Sequence, residues 1–347
     1  MQAMQQFAHQ LIPGWEQIPV GRTRTEVPDV AVDGADRVYV LTRMPGAVLV
    51  YDAEGRFLRS FGEGLLSARP HAITVAADGT AYVVDDPEHI VRVFGRTGEP
   101  IRVIGTPGVP SATGFDESLP VPAWCTSVRY GGAPFNHPTK VALGADGDIY
   151  VSDGYANSRV HHFDAEGTLI RSWGEPGTGP GQFNLPHSVC VLADGRVVVA
   201  DRENDRLQIF TPTGGYVTEW TDVQRPTTVI QDLLGRILVA ELGWRSGERR
   251  LRRGILEVDE PARLTVLDAD GVVLGRRTDL AGPDGSQALI APHGLAIDSH
   301  GDLYVAEVSF SFTHQEHERT LHKCTLTGAR GRSSLGGSAQ HPQGALT

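Results

Sequence analysis

Cysteine is scarce in this chain of 347 residues. Its three cysteines, Cys125, Cys190 and Cys324, are too few and too scattered for a disulfide framework or a thiolate metal site. A run of about 18 apolar residues is also lacking, and the N-terminal segment has neither the basic start nor the apolar core of a signal peptide. We therefore expect a soluble protein of a reducing, cytoplasmic compartment.

Positive charge is in short supply as well, because 31 basic residues face 42 acidic ones and the formal net charge is −11. The one basic block, ERRLRRG at Glu248–Gly254, is interpreted as a solvated loop. This balance argues against a nucleic acid or an anionic membrane surface as a partner.

Glycine and proline, in contrast, are plentiful, with 41 and 22 copies, and they punctuate an internal repeat. Each repeat begins with proline, continues with alternating apolar residues, turns at a polar stretch that usually contains glycine, and ends with a second apolar alternation and a polar residue. The residue after the proline precedes that final polar residue by fourteen positions in every copy. The six copies begin at Pro28, Pro70, Pro138, Pro186, Pro226 and Pro292.

A second hairpin follows most copies, so that each repeat supplies four strands. Four-stranded units at a period of about 40 residues are typical of a β-propeller. We therefore predict an all-β fold, a six-bladed β-propeller forming a single domain over residues 1–347, with inserted loops near residues 106–134 and 243–263. Residues Trp15–Val20 are expected to complete the last blade, because the ring must close to avoid an exposed edge.

The residue after the proline is histidine in the second, fourth and sixth copies, at His71, His187 and His293. First strands of propeller blades line the central channel, and alternate blades of a six-fold ring lie about 120° apart. The three imidazoles are therefore predicted to meet in a three-histidine metal site with an open coordination position. The alternative, a polar side chain satisfied by the backbone, suits any one of them taken singly.

Polar residues at the ends of the second strands form a further candidate group. Arg43 stands where other copies have an acidic residue, and Tyr155 and Arg202 lie just beyond the acids of their own copies. A metal, an arginine facing negative charge and a tyrosine that moves a proton would make a lyase or hydrolase site. The histidine-rich stretch Thr313–His322 lacks matching ligands elsewhere, so no metal is expected there. Neighbouring residues interpreted instead as structural turn residues that pair between blades are Asp153, Asn157, Arg159, Asp201, Asn204 and Arg206.

Two longer strings lie within the segment Phe135–Phe210, FNHPTKVALGADGDIYVSDGYANSR in one repeat and PGQFNLPHSVCVLADGRVVVADREN in the next. In these strings the segment resembles peptidyl-α-hydroxyglycine α-amidating lyases, which are six-bladed propellers built from NHL-type repeats. The resemblance implies a lyase that cleaves the C–N bond of a carbinolamide and releases an amide and glyoxylate.

The resemblance also implies roles for residues already singled out. One zinc ion per chain is implied to be held by the three histidines that follow a proline, His71, His187 and His293. The implied catalytic residues are Arg43, Tyr155 and Arg202.

Two departures from the family pattern bear on calcium and disulfides. A structural calcium is less expected here, because Gly294 stands where the family commonly has an aspartate after the last zinc histidine. The family's disulfide cysteines are absent, because the corresponding positions of this chain lie near Asn136 and at Ala156. The expected partner is a small molecule or a short peptide-like substrate, and a small carbinolamide, ureido or hydroxyglycine compound suits the chain as well as a peptide does.

Two other functions stay open from the residues. The same metal would activate water in a hydrolase of a small ester, lactone or amide. A non-catalytic NHL-repeat propeller would instead bind a ligand or a protein on one face. The metal is open too, because three imidazoles also accept iron, cobalt, nickel or copper.

Overall fold

Four-stranded antiparallel sheets recur around a central axis in the computed structural model of the protein. The structure describes residues 9–22, 24–119, 123, 126–282, 285–317 and 319–326. Its secondary structure is almost entirely β, with one short α-helix, α1 (Ser309–Thr313), within those residues. The predicted all-β class is confirmed.

The chain enters the described part with a strand of the last blade and then builds the first three blades in order. That first strand is β1 (His9–Ile12). The first blade comprises β2 (Glu26–Val32), β3 (Val38–Arg43), β4 (Ala47–Tyr51) and β5 (Phe57–Phe61). The second comprises β6 (Ala72–Val75), β7 (Ala81–Asp85), β8 (Ile90–Phe94) and β9 (Pro100–Ile104). The third comprises β10 (Pro138–Leu143), β11 (Ile149–Asp153), β12 (Arg159–Phe163) and β13 (Leu169–Trp173).

The remaining blades follow the same plan, with three short strand pairs added between or beside them. The pair β14 (Glu175–Pro176) and β15 (Gln182–Phe183) leads into the fourth blade, β16 (Pro186–Val191), β17 (Val197–Asp201), β18 (Arg206–Phe210) and β19 (Tyr216–Trp220). The fifth comprises β20 (Pro226–Gln231), β21 (Ile237–Glu241), β24 (Arg263–Leu267) and β25 (Val273–Arg277), with the hairpin β22 (Arg249–Arg250) and β23 (Gly254–Ile255) inserted. The sixth comprises β28 (Pro292–Ile297), β29 (Leu303–Glu307), β30 (Leu321–Leu326) and β1, flanked by β26 (Asp279–Gly282) and β27 (Gly285–Ala288).

The first strands of the six blades contact one another in cyclic order around the axis. Strand β2 contacts β6, β6 contacts β10, β10 contacts β16, β16 contacts β20, β20 contacts β28, and β28 contacts β2 again. The six-bladed propeller predicted from the repeats is therefore confirmed.

The ring closes through a strand from the start of the described chain. Strand β1 pairs antiparallel with β30, with His9 opposite Leu326 and Ile12 opposite Lys323. The expectation that Trp15–Val20 would complete the last blade is therefore wrong. Trp15 instead packs its ring against Tyr51 of the first blade and Tyr304 of the last, at centroid distances of 6.0 and 5.1 Å. Closure depends on pairing between distant segments, which short-range apolar alternation does not reveal.

Apolar side chains fill the spaces between neighbouring blades. Between the first and second blades, Tyr39, Phe61 and Phe94 belong to one buried cluster. The second strands are buried on both faces, and all five residues of β17 are buried. Tight packing on both sides holds the channel rim in one arrangement, so that equivalent positions of different blades stay equivalent in space.

In the third to sixth blades, the proline that opens the repeat lies opposite the acid that closes it. Pro186 pairs with Asp201, and the next pair joins Ser188 to Ala200, so that His187 is the extra residue of a β-bulge. Bulges re-aim side chains relative to the regular alternation of a strand. The residue after the proline is thereby turned toward the channel.

The long connections predicted from the spacing of the repeats lie between β9 and β10 and between β21 and β24. The predicted domain limits, residues 1 and 347, lie outside the described residues. Among the residues that are described, no helix has the length and apolarity needed to cross a bilayer.

Candidate metal centre

Three histidine side chains meet on the channel axis. One ring nitrogen each of His71, His187 and His293 lies within 4.8 Å of the others. The ring centroids are 4.7 to 4.9 Å apart, and all three residues are buried. In the described part of the chain, no other group of three or more His, Cys, Asp or Glu residues is gathered closely enough to hold a metal ion. The alternation along the sequence predicted this meeting.

The second nitrogen of each ring is held by a backbone carbonyl of the next blade. Nδ1 of His71 donates to the Thr139 carbonyl at 2.6 Å, and Nδ1 of His187 donates to the Thr227 carbonyl at 2.8 Å. Nδ1 of His293 donates to the carbonyl of Pro28 at 2.7 Å, across the ring closure. A carbonyl only accepts, so each Nδ1 carries the proton and each Nε2 keeps a lone pair. Such bonds fix the orientation of metal-binding imidazoles.

Burial keeps the three imidazoles neutral. It lowers the pKa of His71 well below the ordinary value, and the neighbouring imidazoles and the Arg43 guanidinium add to the effect. The pKa of His187 is lowered well below its ordinary value for the same first reason. Burial, with Arg43 next in importance, lowers the pKa of His293 to about 3. Neutral imidazole is the form that binds a metal.

The Tyr155 hydroxyl lies beside two of the three histidines. Its Oη is 3.2 Å from Nε2 of His71 and 3.2 Å from Nε2 of His187. Burial raises the pKa of Tyr155, although the guanidinium groups of Arg202 and Arg43 act in the opposite direction. The phenol therefore holds its proton at neutral pH, close to the Nε2 atoms of both histidines.

Arg43 is fixed from both sides at the same end of the channel. Its Nη1 donates to Glu26 Oε1 at 2.7 Å, and its Nε donates to the carbonyl of Pro70, the residue before His71, at 3.0 Å. Glu26 in turn accepts bonds from the backbone N–H and the hydroxyl of Ser311, at 2.8 and 2.6 Å. Helix α1 of the last blade thus supports an arginine of the first.

Arg202 also lies beside Tyr155, in the short 3₁₀ turn after β17. Its guanidinium carbon is 5.8 Å from the centroid of the Tyr155 ring, and its Nε donates to Glu203 Oε1 at 2.9 Å. Arg225 also pairs with Glu203 at 3.3 Å and stacks on Trp244 at 4.0 Å. Burial alone would raise the pKa of Glu203, but Arg202 and Arg225 outweigh it and hold that pKa below its usual range.

The six residues interpreted as turn residues do hold the strand ends. Asp201 accepts bonds from Asn204 Nδ2 and Arg206 Nε, both at 2.7 Å. Arg206 also donates to the carbonyls of Gly179 and Gln182, in the segment that leads into its blade. Corresponding contacts join Asp153 to Asn157 and Arg159 to Glu175. The pairing runs within a blade and to adjoining connections, rather than between blades as expected.

A second polar layer lies behind the histidines in the channel wall. Asp29, buried like the histidines, pairs with the Lys140 ammonium group and accepts a bond from the Ile73 N–H at 2.9 Å. Gly294 faces this aspartate so closely that a Cβ there would lie 2.4 Å from Asp29 Oδ1. The positive charge beside Asp29 is therefore supplied by Lys140. Toward the far end, aliphatic residues of all six blades line a funnel of about 450 Å³.

Several residues near the site were not singled out from the sequence. Glu26 and Glu203 hold the two buried arginines, and Arg69 brings a third guanidinium to within 5.9 Å of the Tyr155 ring centroid. Arg69 directly precedes the first Pro-His pair, Pro70-His71, and Glu203 directly follows Arg202, so adjacency in the sequence was the available signal. The role of Glu26 depends on a contact over 285 residues of sequence, which no local pattern indicates.

Fold and site together define a class of protein, a six-bladed β-propeller with three histidines gathered on its axis. The NHL repeat family matches residues 135–163 and 183–210, which contain the first three strands of the third and fourth blades. The chain thus carries NHL repeats.

The relatives in sequence include amidating enzymes. Peptidyl-glycine alpha-amidating monooxygenase B of Xenopus laevis is 35% identical over 181 residues, which cover 50% of this chain and 18% of that protein. A probable peptidyl-alpha-hydroxyglycine alpha-amidating lyase of Caenorhabditis elegans is 32% identical over 192 residues, 51% of this chain and 49% of that protein. The chain therefore spans less than a fifth of the first relative and about half of the second. The resemblance stated from the sequence is confirmed.

A relative with a less specific name matches over more of the chain. NHL repeat-containing protein 3 of Homo sapiens is 28% identical over 322 residues, which cover 88% of this chain and 82% of that protein. Among solved structures, a streptogramin B lyase superposes with a TM-score of 0.57 at 13% identity, over 92% of this chain and 98% of that one. A nidogen/laminin complex superposes with a TM-score of 0.56 at 14% identity, over 78% and 85%. At such identities the structures show the shared propeller fold alone.

Proposed function

We propose that the protein is a metal-dependent lyase that cleaves the C–N bond of an α-hydroxyglycine-like carbinolamide to an amide and glyoxylate. The observation that carries the proposal is the convergence of three buried imidazoles with the Tyr155 hydroxyl, 3.2 Å from two of them. The relatedness to a probable amidating lyase supports the choice of reaction.

The three histidines would hold one zinc ion. Three neutral imidazoles, each oriented by a backbone carbonyl, match the donor set of catalytic zinc and leave room for a substrate oxygen. When bound, zinc would supply Lewis-acid polarisation and a lower pKa for a coordinated hydroxyl group.

The two buried arginines bind and orient the substrate. An α-hydroxyglycine carries a carboxylate next to the carbon whose bond breaks, and guanidinium groups bind carboxylates with two parallel hydrogen bonds. Arg43 and Arg202 both act on Tyr155 and are held by Glu26 and Glu203, so that little reorganisation is needed when the substrate arrives. They also offset negative charge that develops on the α-oxygen.

Tyr155 moves the proton that the reaction needs. The α-hydroxyl group loses a proton, the C–N bond breaks, and the departing amide nitrogen gains a proton. Tyr155 has a raised pKa and holds its proton at neutral pH, so its Oη is suited to protonate the nitrogen and to recover a proton from the hydroxyl side. The proton balance closes within one catalytic cycle.

The proposed substrate is a small molecule or a short peptide-like compound, and the proposed compartment is the cytoplasm. Cys190 and Cys324 are free thiols, which suits a reducing compartment. Burial raises the pKa of Cys190 to about 11, so that this thiol stays protonated and unreactive.

The test combines elemental analysis with an assay for glyoxylate. Native protein, a His187→Ala variant and a His300→Ala control would be purified without chelators and given N-acetyl-α-hydroxyglycine. His300 is a matched control because it is an exposed histidine that faces Asp36. We expect one zinc per chain and glyoxylate release in the native protein and the control, and neither in the His187→Ala variant.

The same experiment separates the two other functions. Zinc without glyoxylate release, but with cleavage of an ester or lactone, would favour a hydrolase. The long match to NHL repeat-containing protein 3 favours a second candidate, a non-catalytic binding propeller. A folded native protein without stoichiometric metal would support that candidate and refute the lyase.

A further inference from the structure

Arg69 is a third arginine beside Tyr155, and the repeat pattern does not single it out. It directly precedes Pro70 and His71, so its backbone is fixed next to a proposed metal ligand. Its guanidinium carbon lies 5.9 Å from the Tyr155 ring centroid, against 5.8 Å for Arg202. Arg69 therefore belongs to the surroundings of the reacting groups.

A buried carboxylate anchors one edge of this guanidinium. Nη2 of Arg69 donates to Oδ2 of Asp86 at 2.5 Å, and the Asp86 side chain is fully buried. The same Oδ2 lies 3.4 Å from Nδ1 of His137, which helps to hold the carboxylate in place. The anchor restricts a side chain that would otherwise lose much rotational freedom on binding a ligand.

Exposure distinguishes Arg69 from the two inner arginines. Its side chain is 42% exposed, whereas the side chains of Arg43 and Arg202 are 6% and 8% exposed. The inner pair is thus placed for the buried, reacting end of a substrate. Arg69, which is more exposed, is placed for a part of the substrate nearer to solvent, such as the acyl arm of an N-acyl-α-hydroxyglycine.

We infer that Arg69 is a specificity residue that binds a carboxylate on the acyl arm, so that the preferred substrate is an N-acyl-α-hydroxyglycine with a second negative charge. The inference rests on the proposed function for the orientation of the substrate. A guanidinium whose partner occupies one edge keeps further N–H donors for a carboxylate. Partial exposure limits the effect, because solvent screens the attraction.

The test uses two ligands that differ only in charge and cannot be cleaved. N-succinylglycine carries a terminal carboxylate, and N-succinamoylglycine carries a neutral amide of the same shape. Both lack the α-hydroxyl group, so binding is measured by calorimetry without turnover. We expect the native protein to bind N-succinylglycine about tenfold more tightly than the amide, and we expect Arg69→Gln to remove that difference.

Two further variants separate recognition from loss of structure. Arg69→Lys keeps the charge and should keep part of the preference. Arg56→Gln is the control. Arg56 is also paired and is 65% exposed, but it lies in the turn between β4 and β5, on the opposite face of the propeller. This variant should keep the full preference for N-succinylglycine. Thermal denaturation of each variant checks that it is folded.

The outcomes also distinguish this inference from the lyase. Equal affinities of the native protein for the two ligands, or no measurable binding of either, would overturn the inference even if glyoxylate is released from α-hydroxyglycines. A preference for the charged ligand that depends on Arg69, without glyoxylate release, would support the anion site and refute the lyase.

Discussion

The even and odd blades of this propeller use one backbone position in two ways. In the second, fourth and sixth blades the residue after the proline is a histidine, which donates from Nδ1 to the next blade and points Nε2 into the channel. In the third and fifth blades it is Thr139 or Thr227, whose hydroxyl donates to the carbonyl of the next blade's proline at 2.8 Å.

Both kinds of residue therefore join neighbouring blades, and only their reach differs. A threonine side chain ends at the channel wall, whereas an imidazole presents a second nitrogen to the axis. Asp29 of the first blade also bonds to the next blade, through the Ile73 N–H. The fold requires a polar group at this position, but this group does not have to be a histidine. Because the fold does not require the three histidines, we expect them to have a chemical function.

The largest effect is expected when an even blade receives the residue of an odd one. His293→Thr keeps a group that can bond to the wall but removes the proposed ligand nitrogen. We expect loss of stoichiometric metal and a fall in glyoxylate release of about a thousandfold or more, measured by elemental analysis and initial rates. Full metal content in this variant would show that the three histidines do not act together.

A smaller effect is expected for the hydroxyl that an odd blade contributes to the site. Tyr155→Phe removes the hydroxyl group that lies 3.2 Å from two of the histidines, the proposed proton donor, but none of the proposed ligand nitrogens. We expect kcat to fall about a hundredfold with metal content unchanged. If metal were lost as completely as in His293→Thr, Tyr155 would be needed to build the site rather than to move a proton.

Glu203 supports Arg202 in the fourth blade, and this support can be tested through the pH dependence of stability. The pKa of Glu203 is held below its ordinary value of 4.5 by two arginines, so its contribution to stability is present above pH 4.5 and is lost as pH falls through the lowered pKa. Glu203→Gln should lower the free energy of unfolding at pH 7 by about 2 kcal/mol and flatten its dependence on pH below 4.5. Urea denaturation from pH 7 to pH 3 measures both, and an unchanged slope in the variant would contradict the assignment.

The smallest effect is expected at the threonine of an odd blade. Thr227→Val keeps the shape of the side chain and the backbone carbonyl that orients His187, but removes the hydroxyl bonded to Pro292 and to the carbonyl of Ala240. We expect a loss of about 1 kcal/mol in stability with metal retained, by urea denaturation and elemental analysis. Metal loss here would erase the distinction between the two kinds of blade.

The local repeat made much of this site predictable. A fixed spacing from proline to the closing polar residue places His71, His187 and His293 at one level, and it also placed Arg43 and Tyr155 near them. The repeat did not reveal which strand closes the ring, because the pairing of His9 with Leu326 joins opposite ends of the described chain.

The sequence by itself determined the number of blades, the position that faces the channel and the identity of the three converging imidazoles, because these follow from periodicity within short segments. Only the tertiary structure decided what surrounds them: that Ser311 holds Glu26 against Arg43, that Asp86 anchors Arg69, and that Lys140 pairs with Asp29. These contacts join blades through side chains whose partners are distant in sequence, and their geometry is set by how the blades pack rather than by any local pattern.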